Sequence, residues 1–225
     1  MVSNNYDIKI GSLNVRGLND NVKRQAIFNW ARKKKFDVLL LQETYSSNEL
    51  ENKWEREWGG NIMFAHGSKH SKGVMVMIKP GLDYKIHKEK YDTNGRFIFL
   101  EIEICDQMFL IIDIYAPNKE IQKKSFFKDL LSVAKGFDIT PEKQIIAAGD
   151  FNTVFGALDK SGGREGDGNV VKEMSTFINE IDLVDIWRIR NPNMKGFTYR
   201  QRKPPIQSRL DYFLISDYCQ DIVVN

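Results

Sequence analysis

Acidic and amide side chains stand at or just past the ends of short apolar runs in this chain, and strand ends are where reactive groups collect. Glu43 follows Val38-Leu39-Leu40-Leu41-Gln42 directly. A carboxylate there is costly to desolvate unless it is paired or holds a cation. Taken singly, it reads better as a strand-end carboxylate reaching solvent or a neighbouring arginine. Asp150 and Asn152 sit two apart after Ile145-Ile146-Ala147-Ala148-Gly149. In an extended segment both would leave the same face, and Gly149 would let another backbone or a phosphate approach. That arrangement suits a water and a phosphate, whereas the plain alternative is an Asx turn capping the next segment. Asp211, within Ser208-Arg209-Leu210-Asp211-Tyr212-Phe213-Leu214-Ile215, needs a donor partner, and Arg209 on the same face is a candidate.

The elements that must position these groups follow from hydrophobic periodicity. The runs 38–41, 74–78, 109–112 and 145–148 are continuously apolar, as strands buried on both faces are. Residues 8–10 and 97–104 alternate more openly, as half-buried strands with one polar face do. Apolar residues at three-and-four spacing mark helices through Val22–Ala31, Phe127–Ala134 and Met174–Ile181. Such elements predict an α/β fold, a four-layer sandwich of two mixed sheets packed face to face with helices outside. A single doubly wound sheet competes with it. The strands between 73 and 115 have no helix between them, which favours antiparallel hairpins. With no repeat and no linker-like stretch, residues 1–225 read as one domain.

Net charge is +3, compatible with nucleic acid without arguing for it. Basic residues gather at Lys33-Lys34-Lys35, Lys69–Lys72 and Arg200-Gln201-Arg202-Lys203. The last is the best candidate for DNA-backbone contact through Arg202 and Lys203. Lys33–Lys35 read better as favourable charge at a helix C-terminus. Two cysteines without paired spacing favour a reducing compartment. The opening residues lack a leader pattern, and no window is long and apolar enough to span a bilayer. We expect a soluble monomer with no membrane partner.

Five motifs occur in order: Ser12-Leu13-Asn14-Val15-Arg16-Gly17-Leu18, Leu40-Leu41-Gln42-Glu43-Thr44, Ile114-Tyr115-Ala116-Pro117-Asn118, Gly149-Asp150-Phe151-Asn152-Thr153 and Arg209-Leu210-Asp211-Tyr212-Phe213-Leu214-Ile215. Through them the chain resembles the exonuclease-endonuclease-phosphatase superfamily along almost its whole length. Asn14 to Asn19, with Lys23-Arg24 and Tyr115–Asn118, looks most like the apurinic-type endonuclease domain of non-LTR retrotransposons. The resemblance implies that Glu43, with Asn14 beside it, binds Mg²⁺ (or Mn²⁺ in its place). It further implies that Asp150 and Asn152 orient the attacking water and the scissile phosphate, that Tyr115 contacts the phosphate, and that Asp211 orients a catalytic histidine. Asn118, Lys160, Thr198 and Leu210 would face double-stranded DNA along the rim. Fusion to a reverse transcriptase and action on nuclear DNA are implied in the same way.

Phosphodiester hydrolysis needs a cation to neutralise charge, an acceptor to align water, and donors on the developing phosphorane. The sequence supplies each type, and one glutamate plus an amide suits Mg²⁺, which keeps most of its waters. The family pattern ends in Ser-Asp-His on a further strand, but no histidine follows His87 here. Ser216-Asp217 comes too soon to take that role, so the chain reads as stopping short of that strand, and His66, His70 and His87 read as surface or loop residues. The leading expectation is a DNA-nicking endonuclease. An abasic-site repair enzyme, a phosphoinositide-type phosphatase and a DNA-binding domain that cuts poorly are the alternatives.

Overall fold

The computed structural model describes residues 7–140, 143–163 and 166–223. Its strands, in chain order, are β1 (Ile10–Asn14), β2 (Val38–Gln42), β3 (Ile62–Ala65), β4 (Val74–Ile78), β5 (Tyr84–Tyr91), β6 (Phe97–Ile104) and β7 (Gln107–Tyr115). There follow β8 (Gln144–Asp150), β9 (Lys160–Ser161), β10 (Leu183–Asp185), β11 (Tyr199–Gln201), β12 (Ile206–Ser208) and β13 (Asp211–Ser216). One sheet has the order β1-β2-β4-β3, a second β10-β13-β8-β7-β6-β5, and a small third sheet β11-β12-β9. Both large sheets are mixed. The pairs β1–β2 and β7–β8 are parallel, and each encloses a crossover helix, α1 (Asn21–Lys34) and α3 (Glu120–Ala134).

The period of two along each strand sorts the side chains into layers. Val38 and Leu40 of β2 meet Ile98, Leu100 and Ile111 of the second sheet in a core between the sheets. Leu39 and Leu41 turn the other way, onto Phe28 and Ala31 of α1 and onto Trp54 and Trp58 of α2 (Glu51–Trp58). On the far side Leu110, Ile112 and Ile114 of β7 pack on Phe127 and Leu130 of α3 and on Met174 and Phe177 of α4 (Gly168–Glu180). The result is four layers, helices, sheet, sheet, helices, as the periodicity predicts, and the single doubly wound sheet is excluded. Each fully buried Leu, Ile or Phe in these layers contributes about 1.5–3 kcal/mol of transfer free energy.

Two elements differ from expectation. β6 lies inside its sheet between β5 and β7, and its Glu101 and Glu103 are satisfied by Lys143 and His87. The first strand begins at Ile10 and runs on to Asn14, past the 8–10 alternation. Lys33 and Lys34 do close the last turn of α1, with Lys35 as its left-handed cap (φ 56), the helix-terminal role expected of that run. Gly149 (φ +139) is required by a backbone, because a Cβ there would lie 2.0 Å from the Ile114 carbonyl oxygen of β7. Among the described residues no helix is long and apolar enough to cross a membrane.

Candidate active site

Even-numbered residues of β1, β2 and β8 and odd-numbered residues of β7 and β13 face the gap between the two sheets, as Val38, Leu40, Ala148, Ile111 and Phe213 show. The last inward position of β1 is Asn14, of β2 Gln42, of β7 Tyr115 and of β8 Asp150, and the first of β13 is Asp211. The parallel and antiparallel pairings bring all five to one mouth of that gap, with Asp150 directly opposite Asp211 and Tyr115 opposite Asp150. Glu43, one residue past Gln42, would by alternation turn toward the helices. A left-handed backbone (φ 53) turns it back into the mouth.

There the groups bond to one another. The Asn14 amide donates to Glu43 Oε1 and to Asp150 Oδ2, both at 2.9 Å, bridging the two sheets. The Tyr45 hydroxyl donates to Glu43 Oε2 at 3.1 Å. Asn152 is not on an extended segment. Its left-handed backbone (φ 47) lets its N–H donate to Asp150 Oδ1 at 2.9 Å, the Asx turn that was the alternative. Its side-chain amide donates to the Ala116 carbonyl at 2.9 Å.

Burial raises the Asp150 carboxyl to about 7, helped by the charges of Asp211 and Glu43 and opposed by the Asn14 and Asn152 hydrogen bonds. Burial also raises Asp211, against the Thr198 hydroxyl and the charge of Arg16. The Tyr115 phenol is pushed up by burial and by the charge of Glu43, so it stays protonated through the neutral range. The mouth therefore crowds three carboxylates together, and added positive charge would stabilise it.

Residues 11–220 match the Endonuclease/Exonuclease/phosphatase family. The chain belongs to that family. It is 28% identical over 215 residues to the transposon TX1 uncharacterized 149 kDa protein of Xenopus laevis, covering 94% of this chain and 16% of that protein. It is 26% identical to the DNA repair nuclease APEX1 of Danio rerio, across 93% of this chain and 73% of that one. Among solved structures, AP endonuclease LMAP from Leishmania major superposes with a TM-score of 0.78 at 18% identity, over 97% of this chain and 81% of that one. The chain thus spans a small part of its transposon relative, and the family match and these relatives support a nuclease.

The remaining expected positions of this family member fall into two groups. Lys160, Asn152 and Leu210 line a cavity of about 140 Å³ beside the carboxylates. Thr198 adjoins it, its hydroxyl oxygen accepting the Leu210 N–H at 3.0 Å and the Asp211 N–H at 3.3 Å. Asn118, Arg202 and Lys203 are exposed, the first beyond β7 and the other two in the turn between β11 and β12. Arg209 is not the partner of Asp211. It is buried, bonded to Asp159 at 2.7 and 2.9 Å and to Asp185 at 3.0 Å, with Trp187 and Tyr212 stacked on its guanidinium. The histidines make their contacts elsewhere: His66 with Ser46 and Glu51, and His87 with Glu103. Ser216 is buried at the far end of β13, bonded to the Lys143 carbonyl and the Ile145 N–H.

Sequence reasoning missed Arg96, whose guanidinium lies over the Tyr115 ring at 4.7 Å and donates to the Ala116 carbonyl. It also missed Asp113, wholly buried below the mouth and held well above the carboxylate range by burial. Gln42 donates to Asp113 at 2.6 Å, tying one sheet to the other. A spacing of two from Tyr115, which puts both on one strand face, and a lone acid in an apolar strand were the available signals for Asp113.

Among the described residues no group of three or more His, Cys, Asp and Glu side chains is placed to hold an ion together. The expected pair is not a two-oxygen donor set: Asn14 turns its NH2 to Glu43 and its Oδ1 to the Arg16 N–H, so the Glu43 carboxylate supplies the oxygens there and Asn14 orients it. So few protein oxygens fit a hard cation that keeps several waters, and do not fit a caged Ca²⁺ or a thiolate-bound metal.

Proposed function

We propose that this domain is a Mg²⁺-dependent endonuclease that hydrolyses phosphodiester bonds of double-stranded DNA, nicking target DNA for a retrotransposon. The observation that carries the reading is the bridge from Glu43 through Asn14 to Asp150 at the mouth of the sandwich. Glu43, oriented by the Asn14 amide, would hold the cation, which when bound neutralises charge on the phosphate. Asp150, raised to about 7 before a cation binds and drawn lower by one, would accept a proton from the attacking water near neutral pH. Its geometry is fixed by Asn14 on one oxygen and the Asn152 N–H on the other. The Tyr115 phenol, kept protonated and hydrogen-bonded to Glu43, and the second N–H of the Asn152 amide would turn to donate to the phosphate oxygens.

Similarity to a DNA repair nuclease keeps abasic-site cleavage as the second reading. The likeness to a transposon protein of which this chain spans 16% supports a longer polypeptide, with a reverse transcriptase following and action in the nucleus. Supercoiled plasmid, an abasic duplex and a phosphoinositide, each with Mg²⁺ and with chelator, test the assignment. Metal-dependent nicking of intact plasmid that is lost in Asp150→Asn is the expected result. Cleavage of only the abasic duplex favours the repair reading, and phosphoinositide hydrolysis without DNA cleavage overturns both.

A further inference from the structure

The loop from β1 to α1 carries a cation that the catalytic arrangement does not use. Arg16 stands two residues past Asn14 in a left-handed backbone (φ 47) that few non-glycine residues adopt. Three bonds hold it there. Its N–H donates to Asn14 Oδ1 at 3.1 Å, its carbonyl accepts from Lys23 Nζ at 3.0 Å, and the next N–H, of Gly17, donates to the Glu43 carbonyl at 2.6 Å. The Arg16 loop is thus fixed both to Glu43 and to the Asn14 that orients it. Its side chain is exposed, and among the described residues no hydrogen bond or ion pair holds the guanidinium.

Position decides what that free guanidinium faces. Ser12 of β1 and Asp211 of β13 line one cavity of about 320 Å³, so the two strands confront each other across it, and Arg16 lies just beyond β1 on the side of the mouth. Its positive charge acts on Asp211 on one side and on Tyr45 on the other. Arg96, the arginine at the Tyr115 side, is already committed to the tyrosine ring and the Ala116 carbonyl. A phosphate entering the mouth meets Glu43, Asp150 and Asp211, and the cation expected at Glu43 offsets charge on one side only. Arginine presents planar paired donors that match phosphate oxygens.

We propose that Arg16 is a further substrate-binding residue that contacts a backbone phosphate of the nucleic acid on the Asp211 side of the mouth. This rests on the endonuclease reading. It also explains why a residue strained by its backbone is an arginine rather than the glycine that its φ favours.

The test exploits that conflict. Glycine suits the observed φ, so Arg16→Gly should fold with a melting temperature equal to or above wild type, while a contact to phosphate would be lost. Binding of a fixed duplex is measured across a salt series in chelator for wild type, Arg16→Gly, Arg16→Lys and Lys85→Ala, the last an exposed cation on β5. For Arg16→Gly we expect roughly tenfold weaker binding and a slope of log K against log salt smaller in magnitude by about 0.9, one phosphate contact. Arg16→Lys should keep the slope with partial loss of affinity, and Lys85→Ala should match wild type. Unchanged affinity and slope in Arg16→Gly, with wild type binding normally, overturns this inference alone, as does a loss matched by Lys85→Ala. A wild type with no salt-dependent DNA binding overturns the endonuclease reading as well.

Discussion

Replacing Asp150 by asparagine separates what the mouth costs in stability from what it does. The folded carboxyl sits at about 7 against an ordinary 3.8, a difference of about 3, which is about 4 kcal/mol of linkage. Because the folded value is raised, the contribution is fully present below the unfolded pKa and is lost as pH rises through the folded pKa. Between pH 4.5 and 8 the metal-free wild type should therefore lose about 3 kcal/mol through this one group. The amide introduced by Asp150→Asn never ionises, so the stability of that variant minus that of wild type should grow by the same amount over the same interval. Carboxylates elsewhere that titrate at low pH cancel in the difference. Urea denaturation in chelator at the two pH values measures it, and nicking should be abolished in the more stable variant. A difference between variants that is flat with pH to within about 1 kcal/mol would falsify the claim that burial and the Asp211 charge hold this carboxyl high.

Glu43→Ala should remove Mn²⁺ or Mg²⁺ binding, read by titration calorimetry, while Asn14 and Tyr45 lose only their hydrogen bonds to it; equal binding in the two proteins would show that the cation sits elsewhere. Arg202→Ala and Lys203→Ala, in the exposed β11–β12 turn, should each weaken DNA binding and lower the salt slope by about 0.9, and an unchanged slope removes that turn from the DNA-contacting rim. Arg209→Met should cost about 3 kcal/mol, because it removes the ion-pair partner of Asp185 and leaves Asp159 with Arg188 alone; the melting temperature should fall by roughly 10 °C, and a fall of a degree or two would mean that Arg188 suffices for both carboxylates.

Much of the layering was legible because strand and helix periods differ, and the sandwich is the packing that covers β2 and β7 on both faces. The partners of Asp211 and Arg209 were not. Same-face spacing suggested that the two meet, but the Arg209 N–H donates to the Asp159 carbonyl and its guanidinium joins Asp159 and Asp185. Those acids lie 50 and 24 residues upstream, and no local pattern reports that the chain folds back there. Thr198, which takes the place expected of Arg209 at Asp211, is brought there by the β11–β12 hairpin, its N–H donating to the Ser208 carbonyl, and no local pattern marked that hairpin.

The mouth of the sandwich also depends on departures from the regular pattern that made the layers readable. Alternation carries Asn14, Tyr115, Asp150 and Asp211 inward without help, but it directs Glu43 away. Left-handed backbone at Arg16, Glu43, Tyr45 and Asn152 places four of the nine non-glycine residues with positive φ, among the described residues, at the strand ends around this site. Three of these residues are pinned by a bond to another member of the site: Arg16 by Asn14, Tyr45 by Glu43, Asn152 by Asp150. Glu43 itself is held by the Asn14 amide. The polar side chains proposed to do the chemistry thus also hold the backbone conformations that aim them. A substitution at one member is therefore expected to shift the positions of its neighbours, and effects of double substitutions within this set should fall short of the sum of the single ones.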